Sequence, residues 1–198
     1  ITCRDWSSDV CSSDLRGPIA GRVVTFLGDG ACNVANSLAF AASRLDFELR
    51  IAAPASYQPS PDLLRRAGGK VVCTEDIRAA AAGADLLYTD VWVSMGKEAE
   101  AQARIDQLTP YQLNDGIVRL AKPDALVMHC LPAYRGKEID AATFEAHAQT
   151  IFDQAENRLH VQKAILEASR IPGTLFELST AEPCCKTAIS GAVQSGWQ

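Results

Sequence analysis

Asp90, His129 and Cys130 are the residues of this chain best placed for chemistry, because each stands where a short apolar run ends. Leu86–Thr89 delivers Asp90, and Ala125–Cys130 delivers His129 and Cys130. In an open α/β sheet, ligands bind outside the carboxyl ends of the strands. A carboxylate there can pair with an ammonium group. Ser94, Met95 and Gly96 follow it with a hydroxyl and with backbone that glycine leaves open to close approach. Pro132 fixes the chain as it leaves the second run, which holds the Leu131 carbonyl and the Cys130 thiol in place. Arg135, Lys137 and Arg158 add positive charge at the same edge, and the pattern puts Arg158 at a helix start, where a guanidinium can point into the cleft. Each has a plainer reading: Asp90 as a turn cap, His129 as a structural residue, Cys130 as a small hydrophobe, Arg135 and Lys137 as solvated charge.

Gly28-Asp29-Gly30-Ala31 has the look of a phosphate loop, but Asn33 stands where a dinucleotide fingerprint needs its third glycine, and no Walker lysine follows. A tight turn backed by a helix N-terminus still suits an anionic group such as an amino acid's carboxylate. Asn33 and Asn36 lie one helical turn apart there, and ordinary helix-start chemistry explains them equally well.

These residues need elements to position them. The spacing predicts strands at Val23–Leu27, Glu48–Ala53, Val71–Cys73, Leu86–Thr89, Ala125–Cys130 and Thr150–Phe152. Between them it predicts helices at Asn33–Leu45, Pro61–Ala67, Ile77–Ala82, Lys97–Ile105, Gln112–Leu120, Ala141–Ala148 and Asn157–Ala168. That alternation predicts an α/β fold: a doubly wound, mostly parallel, Rossmann-like sheet with helices on both faces.

Composition bounds the rest. The chain has 198 residues, 47% hydrophobic and 22% charged, enough for one packed domain. A net charge of −5 argues against a nucleic-acid partner and gives no sign of a basic membrane-surface patch. No apolar run approaches the roughly 20 residues of a membrane span. Seven cysteines, odd in number and without C-x-x-C spacing, make a metal site or disulfide framework a poor reading and fit a reducing, cytoplasmic location. Residues 1–16 lack any periodicity; Asp5–Leu15, DWSSDVCSSDL, looks like a translated sequencing adapter and is expected to be foreign. The domain is expected over residues 17–171, with 172–198 a tail of uncertain origin.

Taken together, GDGACNVANS, TDVWVSMG, HCLPAYRG and FDQAENRLHVQKAIL resemble successive motifs of the ornithine carbamoyltransferase family, over roughly Gly17 to Ala168. The resemblance implies transfer of a carbamoyl group from carbamoyl phosphate to the δ-amine of L-ornithine, with no cofactor or metal. It implies that Asn33, Asp90, Ser94 and Met95 hold ornithine, Asp90 through the α-ammonium group. It further implies that Cys130 lies beside the reacting amine, that the Leu131 carbonyl holds the carbamoyl NH₂, and that Arg158 meets the carbamoyl oxygen, with His129 and Pro132 supporting. The resemblance also implies a homotrimer for the full-length protein. The family pattern has two adjacent asparagines where this chain has Cys32-Asn33. The family's carbamoyl-phosphate domain, with its S-T-R-T-R loop, is expected before Gly17 and is missing, so the chain alone is expected to turn over negligibly.

Three rival readings stand beside this one. A sister transferase could use aspartate, putrescine or an acetylated ornithine, although Asp90 with Ser94-Met95-Gly96 favours a free α-amino acid over putrescine, which has no α-carboxylate, and ornithine over aspartate, whose acidic side chain Asp90 would repel. A non-catalytic module could bind ornithine alone. A nucleotide-dependent oxidoreductase is disfavoured by the missing glycine and by Pro54 where an acid should end the second strand.

Overall fold

The structure, a computed structural model, describes residues 17–93 and 101–169. Five strands, β1 (Val23–Leu27), β2 (Glu48–Ala52), β3 (Val71–Thr74), β4 (Leu86–Thr89) and β5 (Leu126–His129), form one sheet in the order β3-β2-β1-β4-β5. All its pairings are parallel. The chain winds outward from β1 to β3, then crosses to β4 and β5 on the other side. The gap between β1 and β4 is therefore the topological switch point, where the loops leaving the strands diverge.

Two cores follow from the two-residue period of the strands. Val24, Phe26, Leu49, Ile51, Leu86, Tyr88 and Met128 face α1 (Asn33–Leu45) and α2 (Pro61–Ala67), where Val34, Leu38 and Ala42 complete the cluster. Leu27, Ala52, Leu87 and Val127 point the other way, onto Ala80 and Ala81 of α3 (Ile77–Ala81), Ile117 of α5 (Asp115–Val118), Phe144 of α6 (Ala141–Ala146) and Ile151 of α7 (Ala148–Ser169). The helix between β4 and α5 is α4 (Ala101–Leu108). Helix starts are capped by side-chain oxygens at Ser60, Asp76, Asn114 and Asp140. Cys32 takes that place in α1, its sulfur accepting the Ala35 N–H at 3.4 Å.

Helix α7 corrects two expectations. The strand predicted at Thr150–Phe152 does not form, and Arg158 lies inside α7 rather than at a helix start. The apolar run there is too short to decide. Ile151 is buried while Phe152 is 53% exposed, and the buried positions Ile151, Gln154 and Val161 recur at helical spacing. The helix predicted over Gln112–Leu120 shrinks to α5, preceded by a 3₁₀ turn at Thr109–Tyr111. The one predicted over Lys97–Ile105 is observed as α4, with residues 97–100 outside the described residues.

Candidate active site

Register brings the candidate residues together. Thr89 is opposite His129 in the β4–β5 pairing, so the next residues out, Asp90 and Cys130, leave the sheet side by side. The Cys130 thiol donates to Asp90 Oδ1 at 2.8 Å, and the same oxygen accepts the Val91 N–H at 2.7 Å. Among the described residues no cation pairs with Asp90. Burial pushes the Cys130 thiol far up, and the charge and hydrogen bond of Asp90 push the same way, against the weaker pull of Arg158. Cys130 is thus a neutral donor and no thiolate nucleophile at neutral pH. Burial likewise pushes the Cys32 thiol up to about 12, with Asp90 and Asp29 adding to it and the Ala35 N–H opposing.

The strand parity that aims Cys130 at Asp90 sends His129 to the opposite face. His129 is fully buried, and its Nδ1 accepts the Leu131 N–H at 2.9 Å. That fixes the tautomer: Nε2 carries the proton and donates to Glu138 Oε1 at 3.2 Å. Glu138, also fully buried, accepts the Tyr134 N–H on the same oxygen at 2.6 Å, while its Oε2 has no partner among the described residues. Leu131 sits at φ 51°, and its peptide bond to Pro132 is cis. A non-glycine residue in the left-handed region costs about 1–2 kcal/mol, so the His129–Glu138 pair holds Leu131 in a conformation it would not choose. Gln154 of α7 ties this turn to the sheet, accepting the His129 backbone N–H at 3.1 Å and donating to the Tyr88 hydroxyl at 2.8 Å. One turn further along α7, half-buried Arg158 donates from Nη1 to the Cys130 carbonyl at 3.2 Å.

Asn33 is the first residue of α1 and is exposed, with Asn36 donating back to the Ala31 carbonyl at 3.3 Å. Arg135 and Lys137 follow the plainer reading. Arg135 pairs with Glu145 at 2.8 Å and lies over the Phe144 ring, and Lys137 lies over Tyr134. Ser94 and Met95 lie outside the described residues. So do the expected leader over 1–16 and tail over 172–198.

Two buried charged residues escaped sequence reading. Glu138 lies nine residues beyond His129 in a stretch that reads as surface charge. Arg104 is 4% exposed on α4 and pairs with Asp29, 75 residues earlier. No local pattern marks a helical arginine whose partner is that distant.

Chemically, the edge offers a carboxylate with capacity for a cation, a neutral thiol beside it, a guanidinium in reach of the thiol's own carbonyl, and an open helix N-terminus. No group of three or more His, Cys, Asp or Glu able to hold a metal occurs among the described residues. None of the described helices is long and apolar enough to cross a membrane.

Comparison with known proteins agrees with this fold. The ornithine carbamoyltransferase of Nitrosococcus oceani is 48% identical over 160 residues, covering 81% of this chain and 52% of that protein. Its counterpart in Methylococcus capsulatus is 49% identical over 152 residues, covering 77% and 51%. The solved structure of ornithine carbamoyltransferase from Pyrococcus furiosus superposes with a TM-score of 0.73 at 39% identity, over 83% of this chain and 54% of that one. The chain spans about half the length of the curated relatives it matches. The family model described as aspartate/ornithine carbamoyltransferase, Asp/Orn binding domain, matches residues 20–169, and the chain belongs to that family.

Proposed function

We propose that this chain is the amino-acid-binding half of an ornithine carbamoyltransferase, which moves a carbamoyl group from carbamoyl phosphate to the δ-amine of L-ornithine. The observation that carries the reading is the Asp90–Cys130 contact at the C-terminal edge of the sheet: a carboxylate whose side-chain partner is a neutral thiol rather than a cation. Such a group attracts an ammonium, and an α-ammonium belongs to the proposed substrate. A second acid on the substrate would be repelled by Asp90, which disfavours aspartate as the acceptor.

In this reading Asp90 holds the α-ammonium group, and Asn33 at the start of α1 receives the α-carboxylate with Ser94 and Met95. The δ-amine then lies beside the Cys130 thiol. It must be neutral to attack. Its nitrogen bonds to the carbonyl carbon of carbamoyl phosphate, the bond from that carbon to the phosphate oxygen breaks, phosphate leaves, and the amine sheds its proton. Arg158 stabilises negative charge on the carbonyl oxygen. The Leu131 carbonyl, held by the His129–Glu138 pair, orients the carbamoyl NH₂. Supplying both reactants at fixed positions removes much of the entropic barrier.

Carbamoyl phosphate is assigned to a second domain, as the half-length match to the relatives supports. The complete enzyme is assigned as a homotrimer, on family resemblance. The free thiols Cys32, Cys73 and Cys130 support a cytoplasmic location.

A citrulline assay tests the reading. The 198-residue chain alone should show negligible turnover with both substrates, and the same chain joined to a carbamoyl-phosphate domain should form citrulline. A robust rate from the chain alone sinks the two-domain assignment, and no rate from the joined protein sinks the substrate.

A further inference from the structure

One guanidinium links the segments that leave β1, β2 and β4. Arg104 on α4 is 4% exposed and Asp29, just past β1, is 5% exposed. Arg104 Nη2 pairs with Asp29 Oδ2, and Asp29 Oδ1 accepts the Ala31 N–H at 3.1 Å, so the pair sets the turn that starts α1. Arg104 Nε donates to the Trp92 carbonyl at 2.8 Å, two residues past Asp90. The guanidinium also lies over the Tyr57 ring, 4.7 Å from its centre, in the segment after β2.

Those two aromatic residues enclose the β1–α1 turn. A Cβ on Gly28 would come within 3.0 Å of Trp92 Nε1, and one on Gly30 within 3.0 Å of the Tyr57 carbonyl and 2.6 Å of Ile51 Cγ2. The turn has no spare room on either side. The residue that fixes Trp92 and Tyr57 therefore fixes the turn between them, and through it the distance from the α1 N-terminus to Asp90.

We propose that Arg104, paired with Asp29, is the positioning residue of the amino-acid subsite, holding Asn33 and Asp90 at the separation an α-amino acid requires. The proposal rests on the ornithine reading above. Arginine suits the task and lysine does not. Its planar fork makes directed bonds to a carboxylate and a carbonyl while its face stacks on a ring, and an ammonium offers a single point of charge.

A purely structural role makes a different prediction. Removing one partner of a buried pair strands the other charge, whereas neutralising both relieves that penalty. Asp29→Asn or Arg104→Gln alone should therefore destabilise the fold, and the double variant Asp29→Asn/Arg104→Gln should recover most of the loss. Ornithine affinity should not recover with it, because the directed contacts to Trp92 and Tyr57 stay lost. The test is L-ornithine titration of the parent chain and the double variant, with thermal unfolding and amide hydrogen exchange on the same samples. The expected result is near-parental stability, affinity down by about tenfold or more, and faster exchange at the Gly28 and Cys32 amides. Those amides bond to the Ala52 and Asp29 carbonyls, and the Leu126 amide at the far end of the sheet serves as the control. Affinity and turn protection that return to parental values together with stability overturn the proposal. If the parent itself does not bind ornithine, the substrate reading falls. The exchange arm then still decides Arg104, with loss of protection confined to the turn supporting the positioning role and unchanged protection overturning it.

Discussion

Two aspartates bracket β4, Asp85 before it and Asp90 after it, and they live in opposite electrostatic worlds. Asp85 accepts from Lys122 Nζ at 2.7 Å, Arg22 Nη1 at 3.2 Å and the Val23 N–H at 2.9 Å. Burial alone would push its carboxyl up, but these donors together hold it below the ordinary carboxylate range. Asp90 has the Cys130 thiol and its neighbour's N–H, and no ion pair among the described residues. The N-terminal edge of the sheet satisfies its own charge. The C-terminal edge keeps a carboxylate for which the described residues supply no cation. The same strand thus carries an ion-paired acid at one end and, in the proposed function, a ligand-binding acid at the other, and chemical type alone does not tell them apart.

The largest effect should come from Asp90. In the chain joined to a carbamoyl-phosphate domain, Asp90→Asn should lower kcat/KM for ornithine by on the order of 10²-fold, since it removes a charge-assisted contact and with it the substrate's orientation. Steady-state kinetics read this directly, and an Asp90→Asn enzyme with near-parental kcat/KM would dissolve the contrast between the two ends. Asp85→Asn should do the reverse, costing about 1–3 kcal/mol of stability in urea unfolding and leaving ornithine kinetics alone.

Acid should erase the Asp85 contribution. Its folded pKa lies below the unfolded value, so the stabilisation is present above about pH 3.9 and is lost as pH falls through the lower folded value. The gap in stability between parent and Asp85→Asn should therefore close in acid; a gap that widens below pH 4 contradicts the assignment. Alkali acts at the other edge. Cys32 stays protonated in the fold up to about 12 while the unfolded thiol ionises near its ordinary value of 9.0, so stability should fall as pH rises through that window. Cys32→Ala should lessen this slope and leave the part that the buried Cys130 thiol contributes, and the unfolding midpoint against pH shows it.

Much of the Asp85–Asp90 contrast lies beyond sequence reading. Val23–Leu27, Asn33–Leu45, Pro61–Ala67 and Leu86–Thr89 match the observed elements end to end, because apolar period and boundary residues act locally. The meeting of Asp90 with Cys130 was legible as far as two strand ends can show it. What brings them into contact is register, which no single segment encodes. The saturation of Asp85 by Arg22 and Lys122, 63 and 37 residues away, was invisible for the same reason. So was the pairing of Arg104 with Asp29. Thr150–Phe152 failed differently: three residues cannot reveal whether their period is 2 or 3.6, and the buried partners of Ile151 in α7 decided it.

The smallest effect concerns the α1 cap. A thiol is a poor acceptor, and the Cys32 sulfur takes the Ala35 N–H at 3.4 Å. Cys32→Ser should raise stability by about 0.5 kcal/mol, read as a small upward shift of the thermal midpoint. A drop would show that packing of the sulfur outweighs its capping.

The central claim is that Asp90, unlike Asp85, is kept for an amino acid's ammonium group. The most direct measurement is calorimetric titration of L-ornithine into the parent chain, Asp90→Asn and Asp85→Asn, with aspartate and putrescine as competitors. The account predicts that the parent and Asp85→Asn bind ornithine alike, that Asp90→Asn loses most of that affinity, and that neither competitor displaces ornithine at comparable concentration. Equal ornithine affinity in Asp90→Asn and the parent, or preference for aspartate, would contradict it.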